Sequence, residues 1–450
     1  MLRSSVRDES ALREGLRDHL RALGGPAADD AELVARLGRG RLALLGEASH
    51  GTREFYAERV GLSQRLITQH GFNALVVEAD WPDAWRVNAY IRGRSEDRDA
   101  EAALAGFERF PTWMWRNTVL RDFVEWLREI NAGRPASRQV GFYGMDLYSL
   151  YGSIAAVLKY LDEVDPEAAR RARSRYACFD HFGEDSQAYG YAASFGMKST
   201  CEDEVIQQLR DMNRRAADFL AGSTEDRADL FYAQQNARLV RNAEEYYRTM
   251  FHGRISSWNL RDSHMVETLQ ALDKHLGSVV GTPARMIVWA HNSHLGDASA
   301  TEMGDLGEWN VGQLARDRWG DEAMLVGFST HHGTVTAASE WDAPAERKRV
   351  RPGLPGSYED LFHQLGDERF WLPLRGNAAL ADLLQERRLQ RAIGVIYLPH
   401  SERMSHYFHT RLPAQFDAMI HIDATHALEP LVAEPAWRVG EPDETYPSGL

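Results

Sequence analysis

The run Leu42-Ala43-Leu44-Leu45-Gly46-Glu47-Ala48-Ser49-His50-Gly51-Thr52 decides the fold. Its apolar start, Leu42 to Leu45, closed by glycine, has the length of a buried strand. From Thr52 the pattern turns helical and stops at Gly71, with Phe55, Tyr56, Val60, Leu62, Leu66 and Ile67 along one arc. Glu47 and His50 therefore fall at the carboxyl end of a strand, just ahead of a helix. Open α/β sheets bind their ligands at that place. Gly46 and Gly51 are read as permitting a tight turn. The helix start is read as offering unpaired N–H groups to a developing negative charge.

Outward from this stretch the same format recurs. Residues 74–77 are apolar and lead into Glu78-Ala79-Asp80, residues 140–143 into Gly144-Met145-Asp146, and Met286–Trp289 into Ala290-His291-Asn292-Ser293-His294. Helical patterns over 82–90 and 117–131 separate the earlier of these. Strand alternating with helix predicts a largely parallel sheet. Further strands are expected at 323–328, 369–374, 393–398 and 418–422, and helices at 9–23 and 30–37. Residues 342–357 and 178–197 read as loops, and the aromatic stretch 107–115, broken by Pro111, as a loop or lid. Residues 147–277 show helices and no convincing strand. The expectation is an α/β fold: a largely parallel central sheet flanked by helices, with a large inserted helical subdomain. Residues 1–146 form the first part of the core with the active-site strand tips, 147–277 the insertion, and 278–450 the second part of the core.

The chain has 450 residues, 44% of them hydrophobic and 26% charged, which is ordinary for a soluble globular protein. Its formal charge of −14 argues against a general nucleic-acid binder. Cys178 and Cys201 are the only cysteines, too few for a disulfide framework, and nothing else suggests an oxidising compartment. The start lacks the apolar core of a signal peptide, and no run of ~18 apolar residues suggests a membrane span. A cytoplasmic protein with no nucleic-acid or membrane partner is expected; the oligomeric state is not readable.

The tips bearing Glu47 with His50, Glu78 with Asp80, Asp146, and His291 with His294 converge if their strands are neighbours, which stand ~4.8 Å apart. Sequence alone does not give that order. Arg59 falls inside the apolar arc of its helix, where a guanidinium must be paired or line a cavity. Trp81, Trp85, Trp113 and Trp115 are candidate apolar walls. Two chemistries suit the set. An imidazole oriented by a carboxylate can take a proton from water that attacks a carbonyl; or the His and Glu side chains can hold a divalent metal that makes the nucleophile. Ser49 lies outside a Gly-x-Ser-x-Gly elbow, and no phosphate-binding Gly-x-x-x-x-Gly-Lys loop occurs. A third reading is an acidic, aromatic-lined cleft that holds haem or another ligand without turnover.

At these residues the sequence resembles the erythromycin esterase family. The matching pieces are Gly46-Glu47-Ala48-Ser49-His50-Gly51-Thr52 with Glu54 and Phe55, Glu78-Ala79-Asp80, Asn259-Leu260-Arg261-Asp262 with Met265, and Ala290-His291-Asn292-Ser293-His294. The resemblance implies an α/β hydrolase that opens a macrolide lactone, such as erythromycin, with activated water and no metal cofactor. By position it implies that His50 is the general base, with Glu47, Glu78 and His291 as catalytic partners. Arg59, His294, Asp80, Trp81, Trp113 and Trp115 are expected to bind a small-molecule ester or lactone. Relatives in the wider superfamily include metal-dependent and haem-binding members, so a divalent metal remains open. Antibiotic resistance is the biological role that a macrolide substrate would imply.

Overall fold

In a computed structural model of the chain, residues 2–24, 30–182, 185–197, 200–218, 224–433 and 435–439 are described. The strands, in chain order, are β1 Arg21–Ala22, β2 Leu42–Leu45, β3 Ala74–Asp80, β4 Gly141–Asp146, β5 Met286–Trp289, β6 Ala323–Ser329, β7 His332–Ala337, β8 Glu346–Val350, β9 Arg369–Pro373, β10 Arg388–Arg391, β11 Tyr407–Thr410, β12 Ala418–Ile422 and β13 Ala424–Thr425. Eight of them form the main sheet, in the order β1-β9-β12-β6-β2-β5-β3-β4. From β12 to β4 all pairings are parallel, and β9 and β1 close one edge antiparallel. β2 and β3 follow one another in the chain, yet β5 lies between them. The connection from β2 thus runs to β3 on one side and that from its neighbour β5 to β6 on the other, and such a switch opens a crevice above the carboxyl ends.

The apolar runs explain why both faces are covered. In β2, Leu42 and Leu44 pack into one buried cluster, and Ala43 and Leu45 into another on the opposite face. The alternation is the period of two of a strand, and a parallel sheet covered on both sides reads as a continuous apolar run. The helices Arg53–Gln69 and Thr118–Ala132 cover the second face. The first is covered by helices from between β4 and β5: Leu150–Val164, Pro166–Tyr176, Ser186–Ser194, Glu202–Asp218, Thr224–Thr249 and Arg254–Val280. Among the described residues, no helix is long and apolar enough to cross a membrane.

Several expectations are corrected. The first helix spans Leu2–Arg17 rather than 9–23, because its leucine stripe divides: Leu16 packs on one face of the sheet and Leu23, past β1, on the other. Residues 393–398 form no strand and make only the isolated bridges Ser49–Ile393 and Ala338–Ile396; the paired strands there are β10 and β11. The segment 342–357 contains β8, whose Lys348 and Val350 are buried beside exposed charged neighbours against β7. Residues 178–197 hold most of a 3-10 turn, Ala177–Phe182, and the helix Ser186–Ser194. The cysteines pair with each other, Cys178 to Cys201, tying that turn to the start of the next helix.

Gly46 and Gly51 serve a purpose other than the tight turn expected. Neither takes a positive φ; both stand where another segment passes too close for a side chain. A Cβ on Gly46 would meet Asn292 Oδ1 at 2.2 Å and the Val326 carbonyl oxygen at 3.0 Å. Asn292 uses that opening to cross the β2 tip, donating to the Phe328 carbonyl at 2.7 Å and accepting from its N–H at 3.2 Å. The β5 tip is thereby locked to β6 across β2, which fixes His291 beside the Glu47–His50 loop.

Candidate active site

β4, β3, β5 and β2 are neighbours in that order, so the four polar tips lie side by side along one edge of the sheet. They line or back a cleft of about 200 Å³. His50, Glu78, Asp80, Asp146 and Trp115 form part of its wall, together with Asp83, Arg109, Tyr148, Arg261, Phe110 and Trp341.

At the β2 tip, His50 Nδ1 lies 3.0 Å from Glu47 Oε1, and Arg59 Nη2 donates to Glu47 Oε2 at 2.6 Å. An ionised carboxylate only accepts, so the Nδ1 proton of His50 faces Glu47. Nε2 is left as the free ring nitrogen of a residue that lines the cleft. Arg59 is fully buried, with its guanidinium 4.4 Å from the Tyr56 ring and 4.7 Å from the Trp289 ring. Its Nε and Nη1 have no hydrogen-bond partner. One charge-assisted hydrogen bond and two aromatic faces offset the hydration it gives up.

At the β5 tip, the His291 ring is 4.8 Å from that of His50. Its Nδ1 accepts from the Ser293 N–H at 3.2 Å, so the neutral ring carries its proton on Nε2. Burial, and then the neighbouring His50, push its pKa down to about 3. His291 is thus a neutral N–H donor beside His50, and its Nε2 is buried without a partner.

The other half of the cleft is organised by Arg261, which arrives from the helix Arg254–Val280. It grips Asp146 with Nε at 2.9 Å and Nη2 at 2.7 Å, and Nη2 also donates to Glu78 Oε1 at 2.8 Å. Glu78 Oε2 accepts from the His291 N–H at 2.9 Å. Burial opposes the Glu78 charge, but His294 and Arg261 hold its pKa well below the usual range. His294 stands behind, its Nδ1 at 2.9 and 3.0 Å from the Asp262 oxygens and its Nε2 at 3.3 Å from Glu78 Oε1. Burial works against its charge, yet Asp262 and Glu78 prevail and raise its pKa to about 9. Arg261 Nη1 is 3.0 Å from the same Nε2. An imidazolium cannot accept from a guanidinium, so the shared Glu78 oxygen is what holds the two cations together.

On the outer wall, Arg109 Nε donates to Asp80 Oδ2 at 2.6 Å. Burial raises the Asp80 pKa. The Asp83 pKa is raised to about 7, by burial and then by the charge on Asp80.

The structure thus brings Glu47, His50, Glu78, Asp80, His291 and Trp115 to one place. Arg59 and His294, expected against substrate, instead lie behind Glu47 and Glu78 and form no part of the cleft wall. Trp81 and Trp113 do not line it either. Trp81 turns onto the face covered by the helices between β4 and β5 and stacks on Tyr143 at 5.9 Å, and Trp113 is buried on the opposite face. Phe110 and Trp341, 5.0 Å apart, supply the aromatic mouth instead. The N-terminus of the helix Arg53–Gln69 is also not presented to the cleft, since the Arg53 N–H donates to the His426 carbonyl at 2.9 Å. Sequence reasoning assigned no role to Arg261, Arg109 or Asp83. Arg261 lies in the Asn259-Leu260-Arg261-Asp262 piece of the family resemblance, the one signal that pointed to it.

The α/β sheet thus carries a buried carboxylate–imidazole pair at its switch point. The chain belongs to the erythromycin esterase family, whose model matches residues 67–425. It is 22% identical over 320 residues to erythromycin esterase type II of Escherichia coli, covering 67% of this chain and 71% of that protein. It is 23% identical over 340 residues to the putative hydrolase YbfO of Bacillus subtilis (strain 168), covering 72% and 71%. Among solved structures, a succinoglycan biosynthesis protein superposes with a TM-score of 0.73 at 18% identity, covering 94% of this chain and 98% of that one. A histidine-to-asparagine mutant of the erythromycin esterase EreC, in its open conformation, gives 0.66 at 16%, covering 92% and 99%. These likenesses show the fold, and the family membership supports a hydrolase.

Proposed function

We propose that the chain cleaves a carboxylic ester or lactone with water activated by His50. The observation that carries this reading is the cleft-lining imidazole whose Nδ1 faces Glu47, itself held by Arg59. His50 Nε2 takes a proton from water as the water oxygen attacks the acyl carbon. The unpartnered Nε2–H of His291 beside it is a natural anchor for that water. Arg261 and Arg109, both on the cleft wall, face the oxyanion that develops. As the acyl C–O bond breaks, His50 returns the proton to the leaving oxygen. Ligand pockets for drug-sized molecules run to about 300–1,000 Å³. A cleft of about 200 Å³ therefore encloses the reacting acyl group, with the remainder of a larger substrate resting on Phe110 and Trp341.

The chemistry on this reading needs no metal. Four carboxylates in or behind the cleft already have a guanidinium: Glu47 has Arg59, Glu78 and Asp146 share Arg261, and Asp80 has Arg109. A dication placed there would have to displace these cations. The test is turnover of small nitrophenyl esters and of a macrolide by the full chain, before and after exhaustive chelation. Esterase activity that survives chelation supports the reading. Activity lost on chelation and restored by zinc or manganese would establish a metal-dependent hydrolase, and a haem absorbance band without turnover a ligand-binding protein.

A further inference from the structure

Two strands along the same sheet edge, outside the cleft, lies a second gathering of ligand-type side chains. His331 and His332 follow β6, Asp423 follows β12, and His363 ends the helix Tyr358–His363. Each offers one ligand atom, and these atoms all lie within 4.8 Å of one another. Among the described residues no other set of His, Cys, Asp and Glu converges in this way. We propose that His331, His332, His363 and Asp423 form a binding site for a divalent transition cation of the zinc class.

The distances suit such an ion. Four donors placed tetrahedrally about 2.0–2.1 Å from zinc stand roughly 3.3 Å apart. Here His331 Nδ1 and His332 Nδ1 are 3.1 Å apart, His363 Nδ1 and Asp423 Oδ1 2.9 Å, and His332 Nδ1 and Asp423 Oδ2 3.9 Å. The His331 and His363 rings stack face to face, 3.8 Å between centroids and 5° between planes, so binding requires the exposed His363 ring to turn out of the stack and aim Nδ1 at the ion, with the half-buried His332 ring rotating to meet it. Three imidazoles and one carboxylate are a borderline-soft donor set, which selects zinc-like ions over calcium or magnesium. The two imidazole nitrogens at 3.1 Å share one proton as an N–H···N hydrogen bond, and a bound cation would take that proton's place between them.

The frame around the site is built to hold it. The N–H groups of His331 and His332 both donate to the Asp423 carbonyl, each at 3.1 Å. The buried Arg391 donates to the His331 carbonyl at 3.0 Å. Asp423 is oriented in turn by His421 Nε2 at 3.3 Å, whose other nitrogen lies 2.9 Å from Ser329 Oγ. A hydrogen-bonded outer shell of this kind is characteristic of metal sites. The bound ion would clamp three segments far apart in sequence, which places it as a stabiliser of the sheet edge and separates it from the ester chemistry.

The test strips the full chain of metal, dialyses it against zinc alone, counts zinc per chain and records thermal denaturation with and without zinc. About one zinc per chain and a zinc-dependent rise in Tm are expected. His363→Ala and Asp423→Asn should each weaken zinc binding at least tenfold, while metal-free Tm stays near that of the parent for the exposed His363. His400→Ala, which removes an exposed histidine outside the cluster, should bind as the parent does. Failure of the parent to retain zinc would overturn the proposal, and so would full retention by His363→Ala. Should Asp423→Asn not fold, His363→Ala alone decides. Esterase turnover plays no part in any of these readings, so this site and the hydrolase stand or fall separately.

Discussion

The two ends of the cleft are made of the same parts and do opposite things with them. At the β2 tip, His50 has a carboxylate on Nδ1, and the carboxylate is backed by a buried guanidinium. At the β5 tip, His294 also has a carboxylate on Nδ1, that of Asp262, and a guanidinium within reach. The difference is what meets the other ring nitrogen. For His50 it is the cleft; for His294 it is Glu78, with the Trp258 ring stacked 4.5 Å away. Two carboxylates on one buried imidazole make a permanent cation, with a pKa near 9, and a permanent cation cannot take a proton from water at neutral pH. One carboxylate and one open side leave His50 a ring nitrogen for the proton transfer that the proposed reaction needs. A Glu-x-x-His and a His-x-x-His at strand ends look alike in the chain, and only the tertiary contacts tell the histidine that opens on the cleft from the one enclosed by two carboxylates.

The two ends should differ most at His50. His50→Asn should lower kcat/KM by about 10²–10⁴-fold, or roughly 3–5 kcal/mol of barrier. The melting temperature should hardly change, since His50 lies past the strand. A folded His50→Asn enzyme with near-normal turnover would remove the distinction between the two ends.

Arg59 tests the support behind the base. Arg59→Met leaves Glu47 as a buried carboxylate with the His50 N–H but no cation opposite it, an imbalance that typically costs about 3–5 kcal/mol. Thermal denaturation should show a large loss of stability, and adding Glu47→Gln should recover much of it while turnover stays low. Arg59→Lys should be milder, because only Nη2 is hydrogen-bonded to Glu47 and the fork is not used in a bidentate way. Equal losses from Arg59→Lys and Arg59→Met would mean that the planar stack between Tyr56 and Trp289 matters more than the charge.

His294 sharpens the other end. Its folded pKa, about 9, lies above the unfolded value of ~6.5. The stability it contributes is therefore fully present below pH ~6.5 and lost as pH rises through 9, on the order of 3 kcal/mol in all. Stability measured by denaturant titration should fall over that window in the parent, and the fall should flatten in His294→Gln. An unchanged slope in the variant would show that His294 is not the charged partner of Asp262 and Glu78.

Much of this was legible because it rests on local pattern. β2 and β5 are unbroken apolar runs, and their ends place Glu47, His50 and His291 without any knowledge of tertiary structure. β8 was hidden because Glu346, Arg347, Lys348 and Arg349 look like a solvated loop; only pairing with β7 shows that Lys348 is buried. Residues 393–398 read as a strand by composition, yet they run across the strand tips, and Val395 ends in the cleft wall. Arg261 sits on a long helix far along the chain from Asp146 and Glu78, where nothing periodic marks it as theirs. Trp81 and Trp113 illustrate the converse: an aromatic near a motif is more often drawn to the core than to the cleft, because burial of its large apolar surface decides where it goes.

Asp83 gives the smallest effect and the cleanest sign. It shares the cleft wall with Asp80, and burial together with that neighbouring charge raises its pKa from an ordinary 3.8 to about 7. A carboxyl whose folded pKa is raised costs nothing while protonated. Above ~4 the unfolded chain ionises it first, so the folded state loses stability progressively until pH 7 and carries a constant penalty beyond. Asn cannot ionise and keeps the shape of the protonated acid. Asp83→Asn should therefore be more stable than the parent at pH 8, by roughly 1–2 kcal/mol after allowance for its partial exposure. The gap should narrow steadily as pH is lowered toward 5, which denaturant titration at several pH values will show. A gap of constant size across that range would mean that Asp83 is ionised throughout, and that Arg109 neutralises both aspartates of the wall instead of Asp80 alone.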